Sequence, residues 1–186
     1  MIQVLVVDDL NIIRQAIKTF LARKTDIEII GFASNGLEAI ELIEKLKVKP
    51  DIVLMDLLMP VMGGIRATEE ICREFSSTKV IIVSDLRNTE TASYAVEIGA
   101  KGYLLKSKLN SDNLIDAIHS VQNGYVQLDA EIVECSAKNI VHHLDLPKND
   151  MNKKNFSLNG SAFVEEQKSQ TEDNQCSVED LWLETT

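Results

Sequence analysis

The sequence predicts an α/β protein built on a single doubly wound sheet of five parallel strands. Five short apolar runs alternate along the chain with five segments in which apolar residues recur at helical spacing. Strict alternation of this kind is typical of a parallel sheet with helices on both faces. Because crossovers between parallel strands are right-handed, we expect all five strands to end along one edge of the sheet.

Local patterns predict each element in turn. The strands are expected at residues 2–7, 27–33, 52–55, 79–83 and 101–105. The helices are expected near residues 12–21, 37–46, 65–75, 89–98 and 111–121. Asn35 and Gly36 form a turn before the second helix. Gly99 and Gly124 are expected to end the fourth and fifth helices, and Ser111 to cap the fifth.

Length and composition exclude several classes of protein. A chain of 186 residues can hold one ordinary domain with additional segments, and it contains no apolar run near the roughly 18 residues of a membrane span. The first strand begins at Ile2, which leaves no room for a signal peptide. The formal net charge of −10 argues against nonspecific binding to nucleic acid or anionic lipid.

The cysteines point to a reducing compartment. Cys72, Cys135 and Cys176 are odd in number and far apart in the sequence. This spacing predicts neither a disulfide framework nor a zinc site, and a cytoplasmic location is the simplest setting. His119, His142 and His143 show no metal-ligand spacing with the cysteines or with carboxylates.

Polar residues stand where the predicted strands end. Asp8 and Asp9 follow the first strand, Asp56 the third, Ser84 the fourth and Lys106 the fifth. Three carboxylates at one edge repel one another unless a cation lies among them, and hard oxygen ligands with room for water suit Mg²⁺. A carboxylate can also take a phosphoryl group as a nucleophile, while a metal and an ammonium neutralise the phosphoryl oxygens. The pattern therefore predicts a site for phosphoryl transfer.

A simpler interpretation exists for each of these acids alone. A single Asp after a strand is more often a turn residue or a helix cap than a ligand. One cap, however, needs only one of Asp8 and Asp9, and Asp56 ends a run that is apolar throughout. Chance poorly explains five such residues that each end a strand, so the functional interpretation is favoured.

A known family shares residue types, spacing and order at positions 7–9, 55–60, 64, 83–84 and 102–106. Because these segments match, residues 1–125 resemble the receiver domain of two-component response regulators. Segments 35–39 and 102–107 are closest to the branch of that family that usually carries a helix-turn-helix output domain. The resemblance implies a flavodoxin-like fold with the strand order 2-1-3-4-5.

The resemblance also implies a role for each residue at the acidic edge. Asp56 would be the phosphoacceptor, and Lys106 would pair with a phosphoryl oxygen. Mg²⁺ would be bound directly by Asp9, by Asp56 and by the backbone carbonyl of Leu58. Asp8 would act on the metal mainly through water.

A conformational switch is implied in the same way, although two positions depart from the family pattern. Ser84 would move to hydrogen-bond the phosphoryl group, and Tyr103 would rotate inward as its aromatic partner. Asp85 stands where the family usually has a small residue. It either repels an incoming phosphoryl anion or caps the next helix or faces water, and we favour the second interpretation. Ser107 replaces a common proline, as is usual in the helix-turn-helix branch.

The C-terminal third has a different character. Residues 126–144 are predicted to form an extra helix capped by Asp129, whose apolar face either packs on the receiver or pairs with a partner. Residues 145–186 lose apolar periodicity, so they are predicted to be a disordered acidic tail without a helix-turn-helix domain. Within it, residues 178–184 gather Trp182 and two leucines among acids, as short docking peptides do.

Together these patterns predict a response regulator receiver. It would accept a phosphoryl group on Asp56 from a sensor histidine kinase or phosphotransfer protein and signal through contacts with a downstream protein. The Gly-rich ATP-binding motifs of kinases are absent, so we expect a phosphoryl recipient and not a donor. We also expect it not to be an enzyme. We expect no direct DNA binding and no membrane association. A receiver-shaped interaction module that does not respond to phosphate, and a truncated transcriptional regulator, remain as alternatives.

Overall fold

A computed structural model describes residues 1–22, 24–130 and 132, together with the backbone of residues 161–165. Its strands are β1 (Ile2–Val7), β2 (Ile27–Ala33), β3 (Ile52–Met55), β4 (Lys79–Ser84), β5 (Gly102–Leu105), β6 (Tyr125–Asp129) and β7 (Ser161–Glu165). Its helices are α1 (Asn11–Leu21), α2 (Gly36–Lys45), α3 (Gly64–Glu74), α4 (Thr89–Glu97) and α5 (Ser111–Gln122), with a short 3-10 helix at Lys106–Lys108.

The strands form one sheet in the order β2-β1-β3-β4-β5-β6-β7. The first six strands run parallel to one another, and β7 runs antiparallel to β6. The predicted doubly wound sheet and its order 2-1-3-4-5 are therefore confirmed. The register aligns the strand ends, because Val7 pairs with Met55 and Ser84 pairs with Leu105.

The sheet is wider than the five strands predicted from the sequence. Tyr125–Asp129 forms a sixth strand beside β5. The prediction of a helix over residues 126–144 is therefore wrong for residues 126–129. Four of the five residues of this strand are buried, and such a strand lacks the one-sided pattern by which a half-buried strand is recognised. Ala130 and Ile132 are helical, and the rest of the predicted helix lies outside the described residues.

A further strand replaces part of the predicted tail. Ser161–Glu165 pairs with β6 along its whole length, so the prediction of disorder for residues 145–186 is wrong at this segment. An outermost strand presents unpaired backbone N–H and C=O groups, and the segment satisfies those groups on β6. The remainder of the predicted tail, including the possible docking peptide at residues 178–184, lies outside the described part of the chain.

Two hydrophobic clusters, one on each face of the sheet, explain why the strands are apolar runs. One cluster joins alternate strand residues such as Leu5 and Val53 to α2, α3 and α4, and the other joins Val4 and Leu54 to α1 and α5. All of β3 is buried, as expected for a central parallel strand. Among the described residues, no helix is long and apolar enough to cross a membrane.

The ends of the last helices refine the predicted caps. Gly99 and Gly124 have φ values of +111° and +92°, as expected for glycines that follow a helix. The cap of α5 is Asn110 and not Ser111, because the Asn110 side chain accepts the N–H groups of the first turn. The Ser111 hydroxyl instead donates to the carbonyl of Phe20 at 3.0 Å, which ties α5 to α1.

Candidate functional site

Four of the predicted site residues lie side by side at the carboxyl edge of the sheet. Asp8 follows β1, Asp56 follows β3, Ser84 ends β4 and Lys106 follows β5. The backbone N–H of Asp56 donates to the carbonyl of Val7 at 2.9 Å, which continues the ladder between β3 and β1 past the end of the strand. This bond places the Asp56 side chain next to Asp8.

The Lys106 ammonium bridges two of the carboxylates. Its Nζ lies 2.7 Å from Asp8 Oδ2 and 2.9 Å from Asp56 Oδ2. All three side chains are more than nine-tenths buried. Burial alone would lower the pKa of Lys106, but its hydrogen bonds to Asp8 and Asp56 outweigh burial and hold the pKa above its usual value. Lys106 is therefore a fixed positive charge between the two acids.

Burial disfavours the ionised form of the Asp56 carboxyl. Burial raises the pKa of its carboxyl above the ordinary value of 3.8, the hydrogen bond from Lys106 opposes that shift, and the charge of Asp8 adds to it. Asp56 Oδ1 also accepts the N–H of Leu57 at 2.7 Å. A cation beside the carboxylate would stabilise its ionised form.

The third acid completes an acidic cluster, defined by Asp8, Asp9 and Asp56. One carboxylate oxygen from each lies within 4.8 Å of the others. Asp8 and Asp56 are buried, whereas Asp9 is exposed, so the cluster has one side open to water. Mg²⁺ prefers carboxylate oxygens and keeps several water ligands, so the donor set and the open side both fit this ion. The Leu58 backbone carbonyl stays a predicted ligand.

The backbone that carries the first two acids is held by Arg14 of α1. The Arg14 guanidinium donates to the backbone carbonyl of Asp8 and, at 3.1 Å, to that of Asp9. It thereby ties α1 to the turn after β1. An Arg one turn into a helix is too common to have signalled this role.

The loop between β3 and α3 passes very close to Asp56, the predicted phosphoacceptor. The N–H of Gly64 donates to the carbonyl of Leu57 at 3.0 Å, and a Cβ on Gly64 would stand 1.9 Å from the backbone oxygen of Asp56. Only glycine allows this approach. In the same loop Val61 has a φ of +66°, a conformation that β-branched residues rarely adopt. The loop is thus strained where it wraps around Asp56.

Ser84 and Tyr103 converge on the backbone of Leu86. Ser84 Oγ accepts the N–H of Leu86 at 3.2 Å, and the Tyr103 hydroxyl donates to the carbonyl of Leu86 at 2.8 Å. Burial raises the pKa of Tyr103, the hydrogen bond with Ser84 opposes the shift, and the charge of Asp56 adds to it. The Tyr103 side chain has no exposed surface, so it already occupies the inward position.

Asp85 lies on the surface, outside this buried set. Asn88, and not Asp85, caps α4, because the Asn88 side chain accepts the N–H of Thr91 at 3.0 Å. Of the interpretations given above, the structure supports an Asp85 side chain that faces water. The carboxylate is then screened by solvent from an anion at the acidic cluster.

Comparison with known proteins identifies the family. Residues 4–119 match the family model of the response regulator receiver domain. The chain belongs to this family. It is 35% identical over 158 residues to the transcriptional regulatory protein LiaR of Bacillus subtilis, covering 81% of this chain and 74% of that protein. It is also 35% identical over 132 residues to LnrK of the same organism, covering 71% of this chain and only 59% of that protein.

Solved receiver structures share the fold. The complex of CheX and CheY with BeF3 and Mg²⁺ from Borrelia burgdorferi contains a chain that is 27% identical to this one, with a TM-score of 0.61. The match covers 64% of this chain and 88% of that chain. Receivers as a family accept phosphoryl groups, interact with histidine kinases or phosphotransfer proteins, and bind Mg²⁺ at an acidic pocket. The acidic cluster is the corresponding feature here.

Magnesium is expected to stabilise the fold. An acid whose pKa is higher in the folded than in the unfolded state favours folding less as the pH rises through those two values. The charge of Asp56 therefore destabilises the metal-free protein at neutral pH, and Mg²⁺ should relieve that effect. At 100 times its dissociation constant, Mg²⁺ should add about 2.7 kcal/mol to the free energy of unfolding.

A Mg²⁺ titration followed by thermal unfolding would measure this gain. Asp9→Asn should remove most of it, and because Asp9 is exposed the variant should still fold. The gain should shrink at acid pH, where protons compete with the metal for Asp56. A melting temperature that stays constant across millimolar Mg²⁺ at pH 7 would argue against a metal at the acidic cluster.

Proposed function

We propose that Asp56 accepts a phosphoryl group from a sensor histidine kinase or a phosphotransfer protein, and that the chain then signals through protein–protein contacts and not as an enzyme. The observation that carries the proposal is the carboxylate of Asp56, buried at the edge of the sheet with an ammonium at 2.9 Å and two further acids beside it. A site of this composition suits phosphoryl transfer, in which catalysis consists of positioning and charge stabilisation.

Asp56, Lys106 and the acidic cluster would each have a separate role in the reaction. A carboxylate oxygen of Asp56 forms a bond to phosphorus while the bond between phosphorus and the donor atom breaks, and the donor leaves with that electron pair. Lys106 moves its contact from the Asp56 carboxylate to a phosphoryl oxygen and keeps Asp8 as its second partner. Mg²⁺, held by the acidic cluster, would neutralise charge on the transferred oxygens.

The proposed switch is the backbone between β4 and α4. Ser84 accepts a hydrogen bond from Leu86, and its own hydroxyl could move its hydrogen bond from Tyr103 to a phosphoryl oxygen. If Ser84 turns toward that oxygen, the N–H of Leu86 loses its acceptor. The Tyr103 hydroxyl donates a hydrogen bond to the carbonyl of the same residue, so a movement of the Leu86 backbone would also disturb Tyr103. Phosphorylation would in this way change the backbone at Leu86, a partly buried residue in the loop before α4.

Amide NMR with Mg²⁺ and beryllofluoride, which mimics a bound phosphoryl group, would test the proposal. We expect large shifts at Ser84, Leu86 and Tyr103, and no such shifts in Asp56→Asn. The solved CheY complex with BeF3 and Mg²⁺ supports the choice of probe. Absence of shifts in the wild-type protein would favour the alternative of a module that does not respond to phosphate. The exposed position of Asp85 lends no support to this alternative.

The curated relatives are transcriptional regulatory proteins, so DNA binding needs a direct test. We expect the purified 186-residue chain to give no footprint on promoter DNA at physiological salt. Its formal net charge is −10, and specific DNA binding depends heavily on neutralising phosphates with Lys and Arg. A reproducible footprint, with or without beryllofluoride, would instead support the alternative of a truncated transcriptional regulator.

The docking peptide at residues 178–184 is proposed as one contact to a downstream protein. The fluorescence of Trp182, the chain's only tryptophan, tests this proposal directly. We expect red-shifted, easily quenched emission from the isolated protein and a blue shift on adding a bound partner. Emission that is already blue-shifted in the isolated protein at high dilution would mean that Trp182 packs on its own domain.

A further inference from the structure

Strand β6 covers the outer edge of β5, the strand that carries Tyr103 and leads into Lys106. The two strands run parallel, with Gly102 opposite Gln127 and Tyr103 opposite Leu128. Leu128 is buried in the same hydrophobic cluster as Tyr103. The segment after α5 therefore packs on the strand that leads into Lys106, although the family match ends at residue 119.

Asp129 ends β6 with a carboxylate that bonds to the backbone of β5. The Asp129 residue is only 7% exposed, and its Oδ2 accepts the N–H of Leu105 at 2.6 Å. Hydrogen bonds to an ionised acceptor are short and strong, and a buried N–H that loses its acceptor is costly. Leu105 is the last residue of β5, so this bond fixes the backbone one residue before Lys106.

Lys106 needs such support because its ammonium must reach two carboxylates at once. Distances of 2.7 Å to Asp8 and 2.9 Å to Asp56 leave little room for movement of the lysine backbone. On one side Leu105 pairs with Ser84 of β4. On the other side the N–H of Leu105 donates to the Asp129 carboxylate. A displacement of about 1 Å in a positioned group can slow a reaction about a hundredfold.

We propose that Asp129 is a positioning residue of the phosphoacceptor site. By accepting the N–H of Leu105, it fixes where β5 ends and therefore where the Lys106 ammonium lies. Asp129 does not contact the reacting atoms, and it acts on Lys106 through the hydrogen bond that its carboxylate accepts from Leu105. The proposal rests on the phosphorylation of Asp56 proposed above, and it makes the site dependent on a residue outside the matched receiver segment.

A purely structural role for Asp129 makes different predictions. The helical residues Ala130 and Ile132 follow it, and Asp at this position also suits a helix cap. Loss of a cap would lower the free energy of unfolding. It would leave the placement of Lys106, and the phosphorylation rate of the folded molecules, unchanged.

Two substitutions separate these roles in the full 186-residue chain. Asp129→Asn keeps an oxygen acceptor at the same reach, whereas Asp129→Ala removes it. The labelling rate with acetyl phosphate and Mg²⁺ would be measured by intact mass spectrometry, well below the unfolding temperature of each variant. We expect Asp129→Ala to be slower by about tenfold or more and Asp129→Asn to stay near the wild-type rate. Asp116→Ala, on the exposed side of α5, is the matched control and should leave the rate unchanged.

A spectroscopic measurement makes the result independent of labelling. The side-chain NMR signals of Lys106 should move toward those of solvent-exposed lysines in Asp129→Ala and stay in place in Asp129→Asn. If Asp129→Ala does not unfold cooperatively, Asp129→Ser, whose hydroxyl stops short of the Leu105 nitrogen, replaces it in both measurements.

The outcomes are distinct. Unchanged Lys106 signals in Asp129→Ala would overturn the positioning role. So would an equal fall in the labelling rate of the Ala and Asn variants. If the wild-type protein is not labelled at all, the proposed phosphorylation of Asp56 fails, while the Lys106 signals still decide whether Asp129 positions that side chain.

Discussion

Replacing Asp56 with asparagine is expected to abolish phosphorylation of the chain by acetyl phosphate. An amide does not attack phosphorus as a carboxylate does, so the rate should fall by roughly a thousandfold or more, as when an enzyme loses its nucleophile. The fold should persist, because burial raises the pKa of Asp56 and asparagine removes a charge that is costly to bury. Intact mass spectrometry in the presence of Mg²⁺ would count the labile phosphoryl groups gained.

Asp112→Asn is the matched control for this variant. Asp112 is exposed in the first turn of α5, so its amide variant should be labelled at the wild-type rate. Without Mg²⁺, Asp56→Asn should unfold at or above the wild-type temperature, which would exclude misfolding as the cause of lost labelling. Equal labelling of Asp56→Asn and the wild-type protein would show that another residue accepts the phosphoryl group.

Replacing Gly64 with alanine is expected to cause a large loss of stability. The new Cβ would stand 1.9 Å from the Asp56 backbone oxygen and within 3 Å of two further backbone atoms, so no flexible side chain can yield. The loop after β3 must move, at a cost of about 3 kcal/mol or more in the free energy of unfolding. For a chain of this size the melting temperature should fall by roughly 10 °C.

The adjacent glycine provides the control for that measurement. A Cβ on Gly63 would meet only the Leu57 carbonyl oxygen, at 3.2 Å, and the φ of Gly63 is −72°, which any residue adopts. Gly63→Ala should therefore lower the melting temperature much less. Because Gly64→Ala displaces the backbone of Asp56, it should also weaken Mg²⁺ binding. Similar melting temperatures for the two variants would mean that the loop adapts without strain.

Much of the fold followed from the sequence because most strands are short, continuous apolar runs between clear turn signals. The prediction for β3 at residues 52–55 is confirmed residue for residue. The sixth strand, Tyr125–Asp129, was missed for a physical reason. It is buried on both faces yet includes the polar Gln127 and Asp129, so its sequence shows neither an apolar run nor one-sided alternation. The pairing of Ser161–Glu165 depends on the edge that this strand creates, so it could not be predicted without it.

The residues at the acidic edge could be predicted from the sequence, but the contacts that hold their backbone in place could not. Residues that end parallel strands must share an edge, and the structure brings Asp8, Asp56 and Lys106 into direct contact there. The contacts of Arg14 with backbone carbonyls, and of Asp129 with a backbone N–H, depend on distances between separate elements. No periodicity or local motif records such distances, so these residues could be recognised only in three dimensions.

The Lys106 ammonium also determines which ions the acidic cluster can balance. Three carboxylates and one ammonium carry a formal charge of −2. One divalent ion brings that total to neutrality, whereas one monovalent ion leaves it negative. Without Lys106 even a divalent ion would leave an excess negative charge facing an approaching phosphoryl donor, which is itself an anion. The same lysine that contacts Asp56 thus matches the cluster to a divalent ion and makes it electrically neutral toward its substrate.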